Sequence, residues 1–490
     1  MNNLYLIGIV ILVSFFAFFN LGTTPLQDGV ESRNGVNAVE MLQTGEVTTL
    51  TYGTRNDVWN VKPPLTIWLT ALSFKTFGYT TFALRLPAAL ATIFLFLFLY
   101  RLIRLYQDAD FAFFSCLLLL SVKGLVGRHI SDLGEYDAIF TCFAVAGTYY
   151  FLKYFDFKNR KSIYSATIFF GLSFMSKGFG VFVFLLGLLM YVLMRSRFKE
   201  LFRDRSFWIG VTIFLFFPLL WLTMNSWSIE STFVANVRQE FLSYLTQFQS
   251  RNWLLFFDYL AVQYEWWHYL FFVAMPVGFY LVYFNQSDLE QNFTTSVSSF
   301  EPTPQLPRSR LFTIGELLSR DNLKPNIQLL LCSICIWLVL GIICTISQNE
   351  QYLAFALPFI AITSAASIFY LNHRYEWFRY IFIALIAFTF WGQLDYYVKN
   401  QTYPNVIFSN DEIIRPLSSM ACDGDLPSQD VLLYLYFLRP DLNILMNEDN
   451  MSEVVLCRIE NIEKYDKRST IYEDEKYALL VLKREKRIEM

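Results

Sequence analysis

Two short polar segments of the sequence carry side chains that could bind an anion and move a proton. In "DVWNVKPPLT", Lys62 stands directly before two prolines, and "GRHISDLGEYDAIF" places Arg128, His129, Glu135 and Asp137 within ten residues. A positioned carboxylate can accept a proton, and neighbouring cations can stabilise negative charge that develops during a reaction. Two simpler readings stay open: Lys62 could reach lipid phosphates, and Asp137 could only cap the helix that follows it.

Two further segments supply groups of the same kind. The stretch "QDGVESRNGVNAVEMLQTGE" predicts an amphipathic helix bounded by Asp28 and Gly45. Asp28 and Glu31 have the three-residue spacing of a capping box, so a purely structural role is the alternative. The turn "MSKGFG" adds Lys177. Because Pro-Pro can open a helix but cannot continue one, a second helix is predicted to start near Pro63 and to lie along the membrane interface.

The composition is that of a polytopic α-helical membrane protein. Of 490 residues, 55% are hydrophobic, 19% are aromatic and only 17% are charged, which is too apolar for a soluble domain of this length. The net charge of −3 gives no basic field that would indicate a nucleic-acid partner. About eleven transmembrane helices are predicted, because eleven apolar stretches approach the length that a bilayer requires. They lie near 4–23, 80–100, 110–127, 138–155, 162–176, 179–194, 207–224, 266–284, 327–346, 351–371 and 377–394.

Basic residues in alternate connections predict how these helices are oriented. Lys and Arg are retained on the cytoplasmic side, and they concentrate after the second, fourth, sixth and tenth stretches. This pattern predicts a cytoplasmic N-terminus and outer-face loops at 24–79, 128–137 and 225–265. The transmembrane domain is predicted to cover 1–397. Short apolar pieces divided by charged and turn-forming residues predict a small outer-face α/β domain over 398–490.

Five motifs in a fixed order resemble a known family of membrane enzymes. "ESRNGVNAVEMLQTGE", "NVKPPLTIWLTALSFKTFG", "FALRLPAALA", "GEYDAIFTCF" and "GLSFMSKG" follow one another over about the first 180 residues. The succession resembles the bacterial polyprenyl-phosphate-sugar transferases, GT-C glycosyltransferases that include lipid A aminoarabinose transferase and are related to protein O-mannosyltransferases. The resemblance implies a bacterial inner-membrane enzyme that moves a hexosyl or pentosyl group from a polyprenyl-phosphate donor to a lipid, glycan or protein acceptor at the outer face.

The resemblance also implies roles for individual residues. Asp28 or Glu31 is the implied base, with Asp137 as a further catalytic residue; Lys62, Lys177 and Arg128 are implied at the donor phosphate; and Arg33, Glu135, His129 and Tyr352 are implied substrate contacts. Two positions depart from the family pattern, since Val30 stands where the catalytic Asp is expected and Val61 where an acidic residue often precedes Lys-Pro-Pro. The phosphate is already a good leaving group, so no strong general acid is needed. No cofactor is required, although Asp28, Glu135 and Asp137 could hold a divalent cation.

Two other functions fit some of the same residues. Acidic and basic groups that line a path through the membrane would suit a flippase or transporter of lipid-linked glycans. Against this reading, the polar groups cluster on one face and no inverted repeat is evident in the sequence. The other alternative is a GT-C-like scaffold without catalysis, and Val30 is the residue that favours it.

Overall fold

The computed structural model describes most of the first 226 residues and separate segments after them. The described residues are 2–19, 21–53, 55–57, 60, 62–122, 133–226, 325–347, 351–374, several positions between 380 and 390, 419–422, 429–440, 443–446, 454–458, 468–473 and 477–482. The predicted span at 266–284 and most of the predicted outer loop 225–265 lie outside them.

Predicted apolar stretches that fall on described residues form helices. The helices are α1 (Asn2–Phe18), α2 (Val30–Thr44), α3 (Leu65–Phe77), α4 (Thr81–Arg104), α5 (Ala109–Leu120), α6 (Asp137–Phe155), α7 (Ser162–Lys177), α8 (Val181–Met194), α9 (Phe198–Arg203), α10 (Arg205–Ser226), α11 (Pro325–Ser347) and α12 (Gln351–Arg374). Most of their buried apolar side chains pack into one core cluster that extends from α1 to α12. The buried apolar side chains of α2 and α3 belong to a second cluster.

Four described stretches are long and apolar enough to cross a membrane. They are Thr81–Arg104, Asp137–Phe155, Ser162–Met194 and Arg205–Met224. The third comprises α7 and α8, which are joined by a 3-10 turn at Gly178–Gly180. Tyr191, late in α8, donates a hydrogen bond to Asp156 just after α6, so α8 returns toward the side on which α7 begins. The number of eleven crossings stays a prediction.

Helix α6 packs against both α4 and α7. The ring of Phe170 on α7 occupies the space beside Gly147 on α6, where an added Cβ would lie only 2.7 Å from it. This close approach is typical of small residues at helix interfaces within membranes. Because α6 and α7 run in opposite directions, the first residue of α6 and the last residue of α7 lie at the same end of the bundle.

The first loop folds into two helices joined by a short hairpin. As predicted, α2 ends at Gly45, whose φ of 76° is left-handed, a conformation that glycine adopts without strain. The N-cap of α2 is Gly29, with no side-chain capping bond. Strands β1 (Thr51–Tyr52) and β2 (Arg55–Asn56) pair antiparallel. The helix predicted near Pro63 is α3, whose N-cap is Pro64.

The described C-terminal elements form a mixed sheet and a helix. The strands are β3 (Ser419–Cys422), β4 (Asn443–Met446), β5 (Val454–Arg458), β6 (Arg468–Glu473) and β7 (Tyr477–Leu482), in the order β4-β3-β5-β7-β6. Strand β3 pairs parallel with β4 and β5, whereas β7 pairs antiparallel with β5 and β6. Helix α13 (Gln429–Leu438) buries its apolar side chains against α2. The domain boundary at 398 stays a prediction.

Candidate functional site

Glu31 attaches the first loop to the membrane helices. Its fully buried carboxylate forms a two-point ion pair with Arg85, 2.6 Å from Nε to Oε1 and 2.9 Å from Nη2 to Oε2. The backbone N–H groups of Gln27 and Gly134 donate to the same two oxygens, each at 2.9 Å. Four donors engage both oxygens of the carboxylate. Glu31 therefore joins α2, α4 and the residues before α6 at one point.

Arg85 is the other half of this junction and lies inside a membrane-spanning helix. Its guanidinium is 1% exposed and also donates to the backbone oxygens of Leu21, Thr24 and Pro25, at 3.3, 3.1 and 2.8 Å. A charge inside a span is costly unless it is paired. Here the carboxylate and three carbonyl oxygens supply the partners, and they fix the chain between α1 and α2.

A second ion pair joins Arg33 on α2 to Asp57 in the polar segment before α3. Arg33 Nε lies 2.8 Å from Asp57 Oδ2, and Nη2 contacts Oδ1. Asn37 Nδ2 and the backbone N–H of Asn60 also donate to this carboxylate, at 3.2 and 3.1 Å. The Asp57 side chain is fully buried, whereas that of Arg33 is 24% exposed. Arg33 thus presents a charged edge that an anionic ligand could reach.

Tyr136 links this pair to Lys62. Asn60 Nδ2 donates to the Tyr136 hydroxyl at 2.8 Å, and that hydroxyl donates to Asn60 Oδ1 at 3.2 Å. Burial raises the pKa of the Tyr136 hydroxyl above its ordinary value. Lys62 Nζ lies 5.0 Å from the centroid of the Tyr136 ring, within the range of a cation–π contact. The ring therefore holds the ammonium group beside the start of α6.

Asp137 and Lys177 form an ion pair at the same end of the bundle. Lys177 Nζ contacts Asp137 Oδ1 and lies 4.5 Å from the ring centroid of Phe355. Asp137 is 1% exposed, and its Oδ2 accepts no hydrogen bond from the described residues. A buried carboxylate oxygen without a donor costs free energy. A substrate hydroxyl could donate a hydrogen bond to this oxygen, or a cation could bind to it.

The Lys-Pro-Pro turn and the Lys-Gly turn pack directly on each other. A Cβ added to Gly178 would lie 3.3 Å from Cδ of Pro63. The Thr66 hydroxyl on α3 lies 2.9 Å from the Ser176 hydroxyl on α7, and Ser176 also donates to the Tyr136 carbonyl oxygen at 3.4 Å. These contacts bring Lys62, Lys177 and Asp137 to one end of the helices, and their placement at the outer face stays a prediction.

Asp28 contacts the C-terminal helix α13. Its Oδ1 accepts hydrogen bonds from the backbone N–H groups of Gly29 at 3.1 Å and Gln429 at 2.9 Å. Gln429 is the first residue of α13, so Asp28 caps the N-terminus of that helix, where a carboxylate is favourable. Glu31 accepts from Gln27 instead of from the N-cap. The capping box suggested by the spacing of the two acids is therefore absent.

The structure describes no side-chain position for several predicted site residues. Arg128, His129 and Val61 lie outside the described residues, and for Tyr352 only the helical backbone of α12 is described. Glu135 is described and is 7% exposed. Within the described part of the chain, no three His, Cys, Asp or Glu side chains converge as metal ligands, so Asp28, Glu135 and Asp137 form no such group. The divalent cation stays a prediction.

Part of the chain is similar in sequence to known proteins. Residues 61–222, which carry Lys62, Asp137 and Lys177, match the family model described as dolichyl-phosphate-mannose-protein mannosyltransferase. An uncharacterised protein of Aquifex aeolicus is 28% identical over 218 residues, which are 44% of this chain and 42% of that protein.

Solved structures extend the likeness to nearly the whole fold. The crystal structure of ArnT from Cupriavidus metallidurans bound to undecaprenyl phosphate superposes with a TM-score of 0.70 at 13% identity, covering 97% of each chain. Its apo form gives a TM-score of 0.65, also at 13% identity, over 97% of this chain and 96% of that one. The oligosaccharyltransferase AglB of Archaeoglobus fulgidus, in complex with an inhibitory peptide and a dolichol-phosphate, gives 0.50 at 12% identity, over 94% of this chain and 70% of that one. The chain is thus a membrane protein with an ArnT-like fold, and its resemblance to the GT-C glycosyltransferases, first indicated by its motifs, is confirmed.

Proposed function

We propose that this protein is an integral-membrane glycosyltransferase that moves a sugar from a polyprenyl-phosphate donor to a hydroxyl of a lipid, glycan or protein acceptor. The reaction takes place at the outer face of the bacterial inner membrane, with the N-terminus in the cytoplasm. The single observation that carries the proposal is the convergence of Lys62, Lys177 and Asp137 at one end of α3, α6 and α7. The solved relative with undecaprenyl phosphate supports the class of donor.

An apolar groove beside this convergence suits the polyprenyl chain. The groove has a volume of about 640 Å³ and runs between α3, α4, α6 and α7. Its lining includes Leu69 and Leu72 on α3, Leu90 and Phe94 on α4, and Phe143 on α6. Leu69 is the fifth residue of α3, about one helical turn from its start, and Lys62 lies three residues before that start. A lipid whose chain lies in the groove would have its phosphate near the start of α3.

Each charged side chain of the site has its own role in the proposed reaction. Lys62 and Lys177 bind the donor phosphate and stabilise the negative charge that grows on it. The acceptor oxygen attacks C1 of the sugar, the bond from C1 to the phosphate oxygen breaks, and its electron pair goes to the phosphate. The acceptor proton passes to Oδ2 of Asp137, the buried oxygen without a donor among the described residues. Arg33, with its exposed edge, contacts the donor head or the acceptor.

Asp28 and Glu31 take supporting roles in this proposal. The oxygens of Glu31 are engaged by Arg85 and two backbone N–H groups, and Asp28 caps α13. Both carboxylates therefore shape the first loop, and Asp137 replaces them as the proposed base. The valine at position 30 then removes no essential group, because the proton acceptor comes from the second loop.

The test measures sugar transfer from radiolabelled polyprenyl-phosphate sugars by purified protein in proteoliposomes, with envelope lipids and proteins as acceptors. Lys62→Gln and Lys177→Gln should weaken donor binding, and Asp137→Asn should abolish transfer while retaining donor binding. Lys75→Gln is the matched control for Lys62, because Lys75 is an exposed cation in the last turn of α3, the helix that follows Lys62. Asp110→Asn is the control for Asp137, since Asp110 also lies in the first turn of an apolar helix but is exposed.

Two results would contradict the proposal. Full transfer by Asp137→Asn would remove this residue from the proton-transfer step. Movement of intact donor across the vesicle membrane by the unaltered protein, without any glycosylated product, would identify a flippase. Mass spectrometry of envelope glycolipids and glycoproteins from cells with and without the protein then identifies the acceptor.

A further inference from the structure

A basic cleft lies at the opposite end of the helices from the candidate site. It has a volume of about 880 Å³ and is formed by the end of α6, the start of α7, and helices α9 and α10. Its charged lining residues are Lys158, Arg160, Arg197, Arg203 and Arg205, opposed by Glu200 and Asp204. The five cations exceed the two carboxylates, so the cleft favours an anion. The Lys and Arg residues in the connections between helices predict which side is cytoplasmic, and the cleft lies on that side.

The cations of this cleft fall into two groups. Arg197 pairs with Glu200 and lies 4.4 Å from the ring centroid of Phe155, and Lys158 also contacts Glu200. These two cations are occupied within the protein. Three others, Arg160, Arg203 and Arg205, are exposed and form no ion pair with any described residue. Their guanidinium groups suit bidentate binding of a phosphate.

An apolar crevice adjoins the cleft at Leu201. It has a volume of about 200 Å³ and is lined by side chains of α6, α7, α8, α9 and α10, among them Ile163, Leu188, Leu189 and Phe214. Leu201, which is 5% exposed, lines both the cleft and the crevice. Trp208 next to α9 is 49% exposed, and exposed tryptophans are enriched at the level of lipid head groups. Charged and apolar spaces thus meet at the membrane interface.

We propose that this cleft and crevice bind one anionic phospholipid of the inner leaflet. The phosphate lies among Arg160, Arg203 and Arg205, and an acyl chain passes Leu201 into the crevice. Both parts of the proposal come from charge and shape: the surplus of cations selects an anionic head group, and the adjoining apolar space selects a molecule with a hydrocarbon tail. The site is separate from the proposed glycosyltransferase site and does not depend on it.

The experiment measures lipid retention and thermal stability of the full-length protein in detergent micelles. Phosphatidylglycerol, phosphatidylcholine with the same acyl chains, and water-soluble glycerol phosphate are added in separate arms. We expect phosphatidylglycerol alone to be retained in native mass spectra and to raise Tm. The triple variant Arg160→Gln, Arg203→Gln, Arg205→Gln should weaken that binding at least about tenfold, since each basic residue near an anionic surface contributes strongly.

Matched variants distinguish binding at this site from a general effect of charge and from misfolding. Replacing Arg101, Lys161 and Lys199 by Gln makes the same change in charge at exposed positions outside the cleft and should leave binding unchanged. Leu189→Trp, at a crevice residue that is 37% exposed, should reduce phosphatidylglycerol retention while the Tm without lipid stays near that of the parent. Equal effects of the two triple variants, equal retention of phosphatidylcholine, or a Tm increase with glycerol phosphate would each overturn the proposal.

Discussion

Pro63 packs against Gly178, and this contact sets the separation of the two lysines proposed to bind phosphate. Gly178 has a φ of +69°, and an added Cβ would approach Cδ of Pro63 to 3.3 Å. An L side chain at such a φ costs roughly 1–2 kcal/mol. The extra contact also pushes the Lys-Pro-Pro turn away from Lys177. The two turns are therefore coupled, and a substitution at Gly178 should shift the position of Lys62.

Gly178→Ala should lower both thermal stability and donor affinity. Gly78→Ala is the matched control, because Gly78 has a φ of +80° but an added Cβ there meets nothing within 4 Å. The Gly78→Ala variant should therefore lose only the free energy that the strained backbone conformation costs. Measurements of Tm and of undecaprenyl-phosphate binding for both variants check the prediction. A donor affinity that falls equally in the two variants would show that contact with Pro63 is unimportant.

Replacing Glu31 by Gln should destabilise the protein strongly. The change leaves the buried guanidinium of Arg85 without its anionic partner, and breaking a buried ion pair typically costs about 3–5 kcal/mol. Arg85→Gln should have a similar effect. The double variant should lose less stability than the two single variants lose in sum. A double-mutant cycle based on Tm measures this difference.

A surface pair supplies the control for this cycle. Lys158 and Glu200 form an ion pair with side chains 59% and 54% exposed, and exposed pairs contribute only about 0–1 kcal/mol. Equal coupling energies in the buried and exposed pairs would contradict the structural role assigned to Glu31. Retained transfer by a folded Glu31→Gln variant agrees with that role, whereas selective loss of kcat at full stability would restore Glu31 as the base.

Gly35→Ala should loosen the contact between the first loop and the C-terminal segment. A Cβ at Gly35 on α2 would overlap the side chain of Leu433 on α13, and overpacking of a core typically costs about 1–3 kcal/mol. Leu433→Ala removes the overlap, so the double variant should recover part of the Tm lost by Gly35→Ala. Protease sensitivity of the C-terminal segment gives a second measurement. No recovery in the double variant would refute this packing.

Acid should weaken the stabilising effect of Glu200. The hydrogen bond from Arg197, followed by that from Lys158, lowers the pKa of Glu200 from 4.5 to about 2 against the effect of burial. A lowered pKa in the folded state means that the contribution is present above pH 4.5 and is lost as the pH falls toward 2. The stability difference between the parent and Glu200→Gln should therefore shrink across that range. A difference independent of pH would show that the charge is irrelevant.

Local patterns predicted the elements around the site well. The bounds of α2 follow from its apolar face and Gly45, and the start of α3 follows from Pro63 and Pro64. Periodicity and proline geometry depend on neighbouring residues, so a sequence shows them directly. Most membrane helices on the described residues also lie within a few residues of the predicted stretches, because length and apolarity define them. The exceptions are α1 and α5, which end at Phe18 and Leu120, before the predicted ends at 23 and 127.

Two site residues were missed for different reasons. Arg85 interrupts the apolar stretch "FALRLPAALA", and a lone arginine in a span should have indicated a buried acidic partner. Asp57 lies in a polar segment without periodicity, so nothing local distinguishes it from a solvated carboxylate. Its pairing with Arg33 depends on how two loop segments fold together. The contact of Gly35 with Leu433 was equally inaccessible, because the two residues are about 400 positions apart.

The hydrogen bond from the backbone of Gln429 to Asp28 has a consequence for biogenesis. Asp28 is synthesised 401 residues before Gln429. Proteins of this size fold in stages while translation proceeds from the N-terminus. The apolar side chains of α2 that pack against α13 must therefore stay uncovered until α13 has been synthesised. During that interval they offer a surface that a chaperone would bind.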